Sequence, residues 1–136
     1  MFDITAYAAE ETSTLPLVNG NDEPLLGEGG KQCSITLYGP GSDQYTAAEA
    51  RKNAALSARI MKKGKTNVVS TPEETAEFLA ACTKSFNHFA YPGDFKADPQ
   101  GMFHACYLDA KLGFIRDQAN EHIRDWANFT KGLATS

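Results

Sequence analysis

From Leu108 onward the apolar positions fall at Leu108, Leu112, Ile115, Ala119, Ile123 and Trp126, stepping by three or four, with Phe129 one turn further on. That spacing is one stripe of a 3.6-residue helix. Arg116, Asp117, Gln118, Asn120, Glu121, Arg124 and Asp125 occupy the opposite side. A helix this one-sided needs something to lie on, so the preceding segments read as its platform.

Those segments begin with Phe2–Ala9, a weakly apolar stretch read as a short edge strand or an ordered arm. Leu15-Pro16-Leu17-Val18 is a second strand candidate, which Pro16 confines to an edge or a strand start. Asn19-Gly20-Asn21-Asp22 and Gly27-Glu28-Gly29-Gly30 are turn chemistry on either side of Pro24-Leu25-Leu26. The strongest strand pattern is Gln32–Tyr38, where Cys33, Ile35 and Leu37 alternate with Ser34, Thr36 and Tyr38. Residues 1–38 therefore read as a small antiparallel sheet that needs helices against its apolar face.

Gly39-Pro40-Gly41 stops the strand; no Lys-Ser/Thr follows it, so it is a turn and not a phosphate loop. Ser42 or Asp43 caps a helix reaching about Lys63, with Gly64 as its C′ residue. Ala47, Ala48, Ala50, Ala54, Ala55 and Ala58 predict that this helix packs closely on the sheet or on another helix. A loop covers 65–70. Thr71-Pro72-Glu73-Glu74 then forms a capping box with proline at N1. The helix it opens is expected to carry Phe78, Leu79, Cys82, Phe86 and Phe89 on one side and to end before Tyr91-Pro92-Gly93. Asp98-Pro99 starts a short helix through Phe103 and Tyr107, and Gly113 predicts a break before the last helix. The expected fold is one α+β domain over 1–136, a small N-terminal antiparallel sheet of two to three strands packed on three to four α-helices. Residues 1–41 supply the sheet, 42–129 the helices and 130–136 a mobile tail.

Charge sharpens this picture. The net charge of −4 is no nucleic-acid footprint, but its distribution is uneven. Residues 45–65 hold six bases and one acid, whereas 1–44 hold seven acids and one base. Arg59, Lys62 and Lys63 thus form a basic helix end, suited to the helix dipole and readable as a docking patch. Asp117, Glu121 and Asp125 repeat every four residues, a like-charge row costing roughly 0.2–0.5 kcal/mol per neighbouring pair. Arg116 and Arg124 relieve part of it, and the remainder reads as tolerated surface charge or as a contact for a basic partner.

Candidate chemistry is sparse. Cys33, Cys82 and Cys106 form no C-x-x-C pair and sit on apolar faces, as free thiols do in a reducing cytoplasm. His88, His104 and His122 match no H-E-x-x-H or tetrahedral zinc pattern. No catalytic residue, metal ligand or cofactor is predicted. No segment has the roughly 20 apolar residues of a membrane span, and the N-terminus lacks the features of a leader.

Three stretches carry a resemblance: SITLYGPGS leading into Tyr45 and the basic helix, FLAA at Phe78–Ala81 with its cysteine, and LGFIRDQANEHIRDWANFTKG at Leu112–Gly132. In their order and character the chain resembles the tail assembly chaperones of long-tailed bacteriophages. The resemblance implies a non-enzymatic protein of the infected host's cytoplasm, absent from the finished virion. Such a protein keeps the tape-measure protein soluble and brings tail-tube subunits to it, with no nucleic-acid or membrane partner. Many genes of that family also yield a longer product by ribosomal frameshifting. Partner-binding candidates are Phe114, Asp117, Glu121, Asp125, Trp126 and Phe129 on the last helix, with Arg59, Lys62 and Lys63. Trp126 is expected to be a core anchor and Phe114, off the stripe, an exposed contact. Self-association through the sheet edge or the last helix would add avidity. Two alternatives remain: a structural virion component such as a tail-completion or head–tail joining protein, and a small inhibitor of a host defence system.

Overall fold

A computed structural model of the chain describes residues 2–63 and 71–130. The expected Gly64 cap, the 65–70 loop and the tail from Lys131 lie outside the described residues. The protein is a three-stranded antiparallel sheet with α-helices packed on its apolar face, the α+β architecture read from the sequence.

The alternating segment forms the central strand β2, Ser34–Tyr38, with Ile35 and Leu37 fully buried and Ser34, Thr36 and Tyr38 on the other face. Strand β1, Thr12–Pro16, pairs with it from Thr12↔Tyr38 to Pro16↔Ser34. Proline ends the strand, where its missing N–H leaves no gap in the ladder. The chain then doubles back through the bridges Val18↔Pro24 and Leu26↔Gln32, and Leu17 donates its N–H to the Cys33 carbonyl at 2.9 Å. Phe2–Ala9 is no strand. It holds a 3-10 turn, Ile4–Tyr7, closed by Asp3, whose carboxylate accepts from the Thr5 N–H at 3.0 Å.

The third strand corrects the sequence reading most. Helix α2 spans Pro72–Ala81 and stops, and Thr83–Asn87 forms β3 on the free edge of β2. The end of α2 is sealed by one side chain. Thr83 turns its hydroxyl back to donate to the Leu79 carbonyl at 2.7 Å, closing the helix end. A bulge opposite Thr36 and Leu37 then lets both Thr83 and Phe86 face inward. The sheet is therefore not wholly N-terminal, and the 42–129 region is not wholly helical.

Helix α1, Asp43–Lys63, is capped by Ser42, whose hydroxyl accepts from the Tyr45 N–H at 3.1 Å. Close packing was expected of its alanines, yet only Ala48 is buried; Ala47, Ala50, Ala54, Ala55 and Ala58 are exposed. The helix lies against α2 through a narrow face that includes Tyr45 and Ala48. The α2 start is the full capping box: the Thr71 hydroxyl accepts from the Glu74 N–H at 3.1 Å, and the Glu74 carboxylate accepts from the Thr71 N–H at 3.0 Å. Helix α3, Pro99–Leu108, begins at Asp98, which accepts from the Gly101 N–H at 3.0 Å.

The long C-terminal stripe is broken twice. A 3-10 turn at Ala110–Leu112 precedes α4, Gly113–Arg124, and a second one, Trp126–Phe129, follows it. Asp125 leaves helical geometry and caps this last turn, its carboxylate accepting from the Ala127 N–H at 3.0 Å. Of the stripe, Ile115, Ala119, Ile123 and Phe129 are buried. The core joins Ile115, Ala119 and Ile123 to Leu17, Ile35, Leu37, Leu79, Phe103 and Tyr107.

Gln118 ties α4 to the first ribbon. Its carbonyl oxygen accepts from the Val18 N–H at 3.0 Å and its amide donates to the Val18 carbonyl at 2.8 Å, so one side chain serves as a strand partner. Gln118→Ala leaves both half-buried backbone groups without this partner and should cost about 1–3 kcal/mol in urea unfolding. Gln118→Glu, which keeps the acceptor and loses the donor, should cost at least as much.

Candidate interaction surfaces

The last turn shows how side chains are shared between inside and outside. Gly39 has no Cβ, and one added there would run into the Phe129 ring. The Gly-Pro-Gly turn is thus the flat seat of an aromatic side chain. The Glu10 N–H donates to the Phe129 carbonyl at 2.6 Å and the Gly39 N–H to the Glu11 carbonyl at 2.8 Å, so the N-terminal arm runs beside this seat. Phe129, a sequence candidate for partner contact, is 1% exposed and belongs to the core. Trp126, expected as the core anchor, is 53% exposed. With Phe129 taking the inward slot and Asp125 breaking the helix, the indole falls outside, where a Cβ added at Gly41 would meet it at 3.6 Å. The same added Cβ would meet that of Ala9 at 3.8 Å. Phe2, Ile4, Tyr7 and Trp126 are each more than half exposed, and the Phe2 and Tyr7 rings lie with centroids 5.6 Å apart. Phe114 is also exposed, as expected.

The acidic row is split. Asp117 and Glu121 are exposed on α4, Arg116 lies 3.9 Å from Asp117, and Asp125 has turned to its capping role. Glu121 and Asp125 nonetheless border one shallow depression with Leu15, Gln118, His122 and Asn128. His122 is half-buried there, sharing a 3.0 Å hydrogen bond with the Ser13 hydroxyl and meeting the Phe129 ring edge-on. Burial lowers its pKa below the ordinary 6.5, and Asp125 opposes the shift. The unfolded chain takes up this proton at higher pH than the folded one. Stability from His122 is therefore complete above about pH 6.5 and falls as the pH drops toward the folded pKa. Urea midpoints at pH 7.5 and 5.5 should show that loss, and His122→Gln should remove it.

The basic helix end is partly engaged. Arg59 forms a 2.8 Å ion pair with Glu74 and so braces α1 against α2 as well as carrying charge. Lys62 is exposed near the helix end at Lys63. Between α1, α2 and the start of α3 lies an open groove of about 730 Å³. Ala48, Arg51, Ala54 and Ala55 line one wall; Glu77 on α2 and Asp98, Gln100 and His104 at α3 contribute to the rest. Lys52 lies 4.3 Å from the centroid of the Phe78 ring at its base, and burial lowers its pKa.

All three cysteines are buried free thiols. Burial pushes Cys82 up to about 12 and Cys106 up to about 11, far from thiolate reactivity at neutral pH. Among the described residues no cluster of three His, Cys, Asp or Glu could hold a metal ion, and no helix is long and apolar enough to cross a membrane. The outer face of the sheet carries an uncharged ladder: Thr14 and Thr36 hydroxyls are 3.2 Å apart, and the Asn87 amide donates to Ser34 and Thr36, each at 3.1 Å.

These features define a small α+β protein with a closed core, several exposed aromatic side chains and an open helical groove. No family model, curated protein or solved structure matches the chain.

Proposed function

We propose that the protein is a non-enzymatic tail assembly chaperone, which binds the tape-measure protein of a long-tailed bacteriophage and helps recruit tail-tube subunits. The observation that carries this reading is the set of large apolar side chains left more than half exposed, Phe2, Ile4, Tyr7 and Trp126 among them. Aromatic side chains on a rigid frame are the usual anchors of protein interfaces, and exposed apolar area of this kind favours a partner. Phe114 and the Asp117–Glu121 pair on α4 offer a second, polar-edged contact, and Lys62 a cationic one. The resemblance in SITLYGPGS, FLAA and LGFIRDQANEHIRDWANFTKG supplies the class of client.

Co-expression with a tape-measure protein tests the reading. The client should stay soluble with the wild-type chain and precipitate with Trp126→Ala combined with Tyr7→Ala, both exposed positions that leave the core intact. A client that precipitates to the same extent with and without the wild-type chain rules the chaperone out. The hydroxyl and amide ladder of Thr14, Ser34, Thr36 and Asn87 on the sheet favours one second reading, a permanent virion component assembled sheet to sheet. Mass spectrometry of purified particles separates the two, since a structural subunit is present in fixed copy number and a chaperone is absent.

A further inference from the structure

We propose that Asn19 is a site of spontaneous deamidation, in which the Gly20 backbone nitrogen displaces the side-chain amide, and that the change loosens the ribbon clasped by Gln118. The proposal goes beyond client binding and does not depend on it.

Asn19 is the one asparagine of the chain that a glycine follows. Ring closure needs the next backbone nitrogen to reach the side-chain carbonyl carbon, and glycine, with no Cβ, obstructs that approach least. A Cβ added at Gly20 meets nothing within 4 Å, and residues 20–23 are exposed, so water and hydroxide have access. The turn also presents the reacting groups together. Asn19 Oδ1 accepts from the Asn21 N–H at 2.8 Å, and the ring this bond closes contains both the side-chain carbonyl carbon and the Gly20 nitrogen. Oδ1 accepts a second time, from the Glu23 N–H at 3.1 Å. Two donors on one carbonyl oxygen favour the negative charge that gathers there as the nitrogen adds. Among the described residues the Gly20 N–H has no hydrogen-bond acceptor. Asn53 and Asn120, by contrast, lie inside helices, where the following nitrogen is held in the helical ladder.

The reaction consumes water alone. The Gly20 nitrogen gives its proton to hydroxide and bonds to Asn19 Cγ. The Cγ–Nδ2 bond breaks, and Nδ2 takes a proton from water and leaves as ammonia. Water then opens the cyclic imide at either carbonyl, yielding aspartate or isoaspartate. Both products disturb a turn that Asn19 holds together. Its N–H donates to the Glu23 carbonyl at 2.9 Å, its carbonyl accepts from the Asp22 N–H at 3.0 Å, and Nδ2 donates to the Glu23 carboxylate at 3.0 Å. Aspartate turns that last bond into a contact between two carboxylates. Isoaspartate routes the backbone through the side chain, lengthening it by one carbon and undoing the Oδ1 bonds. Either change falls beside the Val18↔Pro24 bridge, where Gln118 holds Val18.

Ageing of the folded full chain in mildly alkaline buffer, followed by peptide mapping with mass spectrometry, is the test. Asn19 should convert before any other asparagine, and faster at higher pH, giving aspartate together with isoaspartate that an isoaspartyl methyltransferase labels. Gly20→Ala, at a site open to a methyl group, should suppress the conversion and leave the circular dichroism spectrum unchanged. The aged fraction, separated from fresh protein by its added negative charge, should unfold at a lower urea concentration. An Asn19 that stays intact in the folded chain, whether or not it converts in urea, overturns the site, as does equal conversion in Gly20→Ala. An aged fraction with an unchanged urea midpoint overturns the loosening of the ribbon.

Discussion

Phe129→Ala should lower the stability of the protein by about 3–5 kcal/mol, the cost of emptying a well-filled aromatic site. The ring is 1% exposed, lies flat on Gly39 and meets the His122 imidazole with centroids 5.6 Å apart. Its loss would also loosen the turn whose backbone carbonyl holds Glu10. Gly39→Val should have a similar effect from the other side, because its side chain would occupy the seat of the ring. Two further measurements identify the cause. In Phe129→Ala the His122 imidazole gains solvent, so its pKa, followed by NMR, should rise back toward 6.5. Trp126→Ala, three residues earlier and mostly in water, should cost no more than about 1 kcal/mol. If thermal melts rank Trp126→Ala above Phe129→Ala, this assignment of inside and outside is wrong.

Tyr107→Ala should be equally damaging, again about 3–5 kcal/mol, and Tyr107→Phe should cost only about 0.5–1.5 kcal/mol. Tyr107 is fully buried on α3, with Phe86 of β3 set edge-on to its ring. Its hydroxyl lies 2.7 Å from that of Thr83. The single Thr83 proton goes to the Leu79 carbonyl, so Tyr107 donates to Thr83. Burial pushes the phenol pKa well up, and the phenol stays protonated, as a donor must. This short chain of bonds joins the end of α2, the start of β3 and the end of α3. Phenylalanine keeps the packing and loses one bond; alanine opens a cavity where three elements meet. Urea unfolding of the two variants side by side separates the packing contribution from the bond.

Much of the helical framework was legible because its markers act locally. Thr71 with Glu74, Asp98 with Pro99, and Ser42 before Tyr45 each satisfy backbone groups within one turn, so the residues that start a helix are visible in its own sequence. The break before α4 at Gly113 and the inward alternation of Cys33, Ile35 and Leu37 are local in the same sense. The candidate surface was less legible. Phe78, Leu79, Cys82, Phe86 and Phe89 fit helical spacing, and nothing within the segment reveals that β2 has an edge waiting for Thr83–Asn87.

By itself, then, the sequence determined where helices begin, which strand is central, and that three thiols are buried, since each depends on neighbours a few residues apart. Tertiary structure alone decided that TKSFN is a strand, that Phe129 goes in while Trp126 stays out, and that the alanine face of α1 is left bare. The physical reason is the same in all three. A free sheet edge, a glycine some ninety residues away in the chain and the limited reach of α2 set these outcomes, and none of them leaves a mark on the local pattern.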